Sequence, residues 1–125
     1  MNNERYNQII DEVYDKYKTH IQQQRDDQKI EVQRLRSQGK KVRVSLIVLL
    51  TKKEFIAKCK TNQEFSQKWG LKIEERELSL EERSKLVGNK ILLLLGNKED
   101  SYNEAGIPTK LITLTYQNET IQFYE

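Results

Sequence analysis

The first 38 residues contain neither glycine nor proline, and along them Tyr6, Ile9, Ile10, Val13, Tyr14, Tyr17 and Ile21 recur at spacings of three and four. Such spacing draws a single stripe on an α-helix and does not fit the two-residue period of a strand. After Ile21 the stripe stops. Residues 22–29 are polar without interruption, and Ile30, Val32 and Leu35 follow before the stop signal Ser37-Gln38-Gly39. One helix with a solvated middle fits this pattern, as do two helices joined by a loop; the lack of Gly and Pro favours the single helix. A helix this polar needs packing from elsewhere, because propensity alone contributes little. The face Tyr6, Ile10, Tyr14, Tyr17 and Ile21 is therefore a candidate surface for a partner helix, a second copy of this chain included. Packing across its own domain satisfies the same residues.

Downstream the pattern changes. Residues 42–50, VRVSLIVLL, start with alternation and end in a continuous apolar run, which predicts a central strand. Thr51 is placed to cap a helix running to Lys60, Thr61-Asn62-Gln63-Glu64 forms a capping box for another ending at Trp69, and Gly70 follows as its stop. Residues 71–78 suit a half-exposed edge strand, Ser79-Leu80-Glu81-Glu82 opens a helix to Val87, and 91–95 predicts a second buried strand. Gly96 to Pro108 is loop by composition, and alternating residues on both sides of Gln117-Asn118-Glu119 predict a hairpin.

These elements predict an α/β (or α+β) fold: a long N-terminal helix, then a small mixed β-sheet with crossover helices and a C-terminal β-hairpin. The expected division is 1–38, the polar helix as a docking or oligomerisation arm, and 40–125, a compact domain. A chain of 125 residues suits one core. The longest apolar run, 46–50, is far below the roughly 20 residues that span a bilayer, and the first eleven residues show no apolar segment of a secretory signal; both point to the cytoplasm.

Charge is uneven. The net charge is +3, yet residues 25–71 hold twelve Lys or Arg against five Asp or Glu. Arg25, Lys29, Arg34, Arg36, Lys40, Lys41 and Arg43 make a basic stretch suited to phosphates or to an acidic partner. No aromatic residue is interleaved with them, so base stacking has no platform.

Catalytic constellations are scarce. His20, beside Ile21 and within a turn of Tyr17, is the only histidine, and Cys59 the only cysteine, which excludes zinc sites of the His and Cys type and leaves nucleophiles without a base. Cys59 follows Phe55 by four and is expected in the core. Asp11 and Asp15 share a helix face but sit beside Lys18 as ordinary surface. Residues 92–100, ending in Asn97-Lys98-Glu99-Asp100, resemble the guanine-reading N-K-x-D element of small GTPases. A GTPase also needs a P-loop, and neither that nor a GxGxxG fingerprint is present, so no cofactor or metal is expected. Three functions fit these residues, in this order. First stands a non-catalytic interaction or regulatory protein docking on a larger complex, as a homodimer in one version. Next is a nucleic-acid-binding accessory protein using the basic stretch on DNA or RNA, and last an enzyme with a carboxylate or nucleotide site in loop 96–108.

Overall fold

The computed structural model describes residues 2–89, 92 and 95–125. α1, Asn2–Ser37, is one continuous helix. α2 (Lys52–Thr61) and α3 (Gln63–Trp69) lead into β1 (Leu71–Glu77), then α4 (Leu80–Lys85) and α5 (Lys98–Glu104), with β2 (Lys110–Tyr116) and β3 (Glu119–Tyr124) at the end. The capping logic holds with one adjustment. Thr51 and Ser79 make full capping boxes with Glu54 and Glu82. Asn62 caps α3, because Thr61 completes α2 and bonds back to the Ala57 carbonyl at 3.0 Å.

The described strands form a three-stranded antiparallel sheet in the order β1-β2-β3. Parallel crossovers were expected from helices between strands, but the connection from β1 to β2 passes α4 and α5 and returns antiparallel, the α+β form of the predicted fold. The hairpin closes through Gln117-Asn118, with Gln117 at φ 54° in the left-handed region. Leu71, Ile73, Ile112, Leu114, Tyr116 and Ile121 point to one face of the sheet and are buried. Onto that face come α1, through Ile9, Ile10, Val13, Tyr17 and Ile21, and α2, through Phe55 and Cys59. Side chains of α1 and of residues 40–125 thus meet in one core. Burial pushes the Cys59 thiol up to about 11, as suits a structural residue and not a nucleophile.

Two expectations are corrected. Residues 42–50 form no strand among the described residues; they run as an irregular arm beside α1. The physical reason lies in their partners: α1 offers side-chain donors, not a backbone ladder. Tyr14 Oη donates to the Leu50 carbonyl (2.6 Å), Arg25 to that of Ile47 (2.8 Å) and Gln28 to that of Ser45 (2.8 Å), while the Leu50 N–H donates to Tyr17 Oη (3.0 Å). Loop 96–108 contains α5, since Asn97 Oδ1 accepts from the Asp100 N–H at 2.8 Å and caps it. The strand expected over 91–95 falls on residues of which Ile91, Leu93 and Leu94 lie outside the described ones.

At the far end of the domain, Arg83 is buried and donates to the carbonyls of Pro108 (3.1 Å) and Ile107 (3.0 Å) and to Asn103 Oδ1 (2.8 Å), with its guanidinium over the Tyr102 ring. Neutral acceptors therefore hold this charge in place, tying α4 to the segment that leads into β2.

Candidate interaction surface

α1 changes role along its length. Its first two-thirds lie in the core; Tyr6, Ile10, Tyr14, Tyr17 and Ile21, read as a face for a partner helix, face their own chain instead. Ile10 and Tyr17 are buried at 2% and 4% exposure, Tyr6 meets Phe123 edge-on, and Tyr14 packs against Phe55. Ion pairs fasten the same half from outside: Arg5 to Glu119 of β3, and Lys52 of α2 to Asp11. The Glu119 carboxyl is held below its ordinary range by its bond from Arg5, and the Lys52 ammonium is raised by its bond to Asp11.

Past Ile21 the helix bonds to the arm. Gly39, at φ 77°, turns the chain back, and residues 40–50 return along α1. Gln28 and Arg25, part of the polar run that broke the apolar stripe, are the residues that hold the arm by its carbonyls. Val42, Ile47, Leu49 and Leu50 are half-buried. On the other side Val44, Leu46 and Val48 are exposed at 50%, 85% and 60%, and Ile30 on the helix at 64%. No backbone hydrogen bond joins the amides of residues 42–49 to described backbone. An exposed, β-prone apolar segment whose amides lack a described backbone partner is one to which another chain can add a strand.

The basic stretch frames this edge. Arg34 pairs with Glu31, whose carboxyl is lowered by that bond, and Arg25 is engaged with the Ile47 carbonyl. Lys29, Arg36, Lys41 and Arg43 are exposed and make no ion pair among the described residues. The stretch that sequence reading marked as basic is thus also the exposed apolar one. From residue 32 to 53 there is no Asp or Glu, against seven Lys or Arg.

An open groove of about 390 Å³ lies where the arm joins the body, between α1, α3 and the arm. Tyr17, His20, Ile47, Val48, Lys58 and Trp69 line it, together with Lys68. His20 stands edge-on to Trp69 at 5.4 Å, and its Nε2 is buried without a hydrogen-bond partner among the described residues. Lys58 lies over Phe65 (4.7 Å) and Lys68 over Trp69 (5.9 Å). In the sequence His20 lies within a turn of Tyr17, and Phe65 and Trp69 lie more than 40 residues on; the fold brings them into one groove with the arm. The loop 96–108 offers less. Asn97 and Asp100 of its GTPase-like stretch are taken up in capping α5, and the next residue, Ser101, donates to the Asn97 carbonyl and accepts from the Leu95 N–H. No group of three metal-ligating side chains occurs among the described residues, and no described helix is long and apolar enough to cross a membrane.

No protein-family model matches the chain, and no curated protein or solved structure matches it either.

Proposed function

We propose that this chain is a non-catalytic docking protein, which binds a larger protein or complex by its arm and the adjoining half of α1. One observation carries the reading: residues 42–50 hold an exposed apolar row, Val44, Leu46 and Val48, on a segment whose amides at 42–49 make no backbone hydrogen bond among the described residues. Covering a Val or Leu side chain is worth about 1.5–3 kcal/mol, and an added strand brings main-chain bonds as well. The partner surface is acidic. Seven cations on an acid-free run would repel seven more, so a second copy laid arm to arm is disfavoured, whereas a carboxylate-rich segment is attracted.

The test is affinity capture from the native cells with nuclease present, comparing the natural chain with the triple variant Val44→Asp, Leu46→Asp, Val48→Asp. Proteins retained by the natural chain and lost by the variant support docking through the arm; an identical set from both would sink it. Light scattering of the pure chain separates the homodimer version, in which the natural chain has twice the variant's mass.

A second reading, nucleic-acid binding, is favoured by the same acid-free run of cations. It requires affinity whose logarithm falls with log salt by about 0.9 per phosphate contacted on duplex DNA. Negligible affinity for duplex and single strand at low salt ends it. The exposed apolar row is no asset for phosphates, and the arm has no aromatic ring for bases, which is why docking on protein ranks first.

A further inference from the structure

We infer that the groove at the root of the arm is a binding site for a carboxylate borne on an apolar body, supplied by an acidic residue or the carboxyl terminus of the docked segment. Its lining divides by chemistry. Tyr17, Ile47, Val48 and Trp69 give apolar and aromatic walls, and Lys58 and Lys68 stand above Phe65 and Trp69, one helical turn apart on α3. No Asp or Glu is among the lining residues, and neither lysine has an ion pair among the described residues, so two ammonium groups share the groove with no anion. The aromatic faces hold them by cation–π attraction, which leaves their hydrogen-bonding capacity open to a carboxylate.

His20 adds an independent sign. Its Nε2 has lost water and gained no protein partner, a cost that native structures seldom leave standing. A turn of the His20 ring that opens Nε2 to the groove lets a bound oxygen become its partner. At about 390 Å³ the space suits one side chain with its carboxylate, within the roughly 300–1,000 Å³ common for ligand sites. Two walls of the groove, Ile47 and Val48, belong to the arm itself, so a segment lying along residues 42–50 ends at its mouth. The source of the carboxylate rests on the docking reading above; the chemistry of the groove does not.

The first experiment therefore uses small probes: 4-phenylbutyrate, 4-phenylbutyramide and 4-phenylbutylamine. Trp69 is the only tryptophan and His20 the only histidine, so tryptophan fluorescence and one set of imidazole proton resonances both report on the groove. The acid is expected to shift both signals saturably at millimolar concentration, the amide to bind at least tenfold more weakly, and the amine not at all. The exposed pair Lys58→Gln, Lys68→Gln is expected to erase the difference between acid and amide while the fold is kept. Equal response to acid and amide in the natural chain, or none to either, overturns the site. The second experiment repeats affinity capture with the Lys58→Gln, Lys68→Gln chain: a severalfold loss of the partner assigns the carboxylate to the docked segment. Undiminished capture overturns that source, and loss of capture confined to the Val44, Leu46, Val48 variant leaves the arm reading standing without it.

Discussion

The two parts of α1 share a register of charged and amide side chains, yet one is structural and the other is surface. Up to Ile21 the helix contributes five buried residues to a core shared with α2 and all three strands. From Gln22 to Ser37 its hydrogen bonds to other segments go to the arm, and both leave apolar groups in water. The contrast teaches that helix length here is set by two separate demands. Burial fixes the first part, whereas the second is long enough to give the arm a rail of donors, Arg25 and Gln28, that hold its carbonyls.

The largest expected effect comes from removing α1. A chain beginning at Gly39 loses Ile9, Ile10, Val13, Tyr17 and Ile21, each worth about 1.5–3 kcal/mol in burial. Their sum, about 7.5–15 kcal/mol, is as large as the whole margin of a typical domain, about 5–15 kcal/mol. Circular dichroism should show no cooperative melt; a sharp transition would break the claim that α1 completes the core. Next in size is Tyr17→Ala, which empties the centre of the aromatic cluster of Phe55, Phe65 and Trp69 and is expected to cost about 3–5 kcal/mol in urea unfolding. Arg83→Met should follow at about 1–3 kcal/mol, because it strands the Ile107 and Pro108 carbonyls that the guanidinium satisfies.

Acid sharpens the comparison further. Glu119 has its pKa lowered by Arg5, so the pair's contribution is complete above the ordinary carboxylate range and is lost as pH falls through the lowered value. Glu31 is lowered in the same way by Arg34, but that pair lies within the exposed part of α1. Glu119→Gln is expected to flatten the acid limb of global stability, whereas Glu31→Gln should leave it unchanged. Equal effects would mean that the outer helix is coupled to the core. Smallest of all, Leu46→Asp should shift unfolding by less than about 0.5 kcal/mol, since this side chain is 85% exposed. A large loss would show that Leu46 is covered in the isolated chain.

Much of this was legible in the sequence for physical reasons that can be named. α1, its continuity, the cap at Thr51, the capping box at Ser79 and the terminal hairpin are local, governed by spacing, caps and turn chemistry, whereas the box expected at Thr61 gave way to an Asn62 cap. Residues 42–50 have every strand property of their own, and what they lack is a strand beside them, which only tertiary arrangement decides. Asn97 looked like part of a nucleotide motif and is a helix cap, a role for which Asn is equally suited. Of the candidate surface, the basic stretch was visible as a charge excess, and the groove was not. Its residues come from positions 17 to 69, and the sequence signal was faint: His20 one turn beyond Tyr17 on the inward side of α1, and Phe65 and Trp69 four apart.

The central claim is that the arm, whose amides lack a described backbone partner, is ready for a partner chain, and residue-resolved amide hydrogen exchange tests it most directly. In the isolated chain the amides of residues 43–49 should exchange nearly as fast as in an unstructured peptide, while those of residues 9–21 exchange only by global unfolding. Addition of the captured acidic partner should then slow alternate arm amides by at least a hundredfold. Arm amides already as slow as those of α1 in the isolated chain would contradict the claim, because the edge would then be paired before any partner arrives.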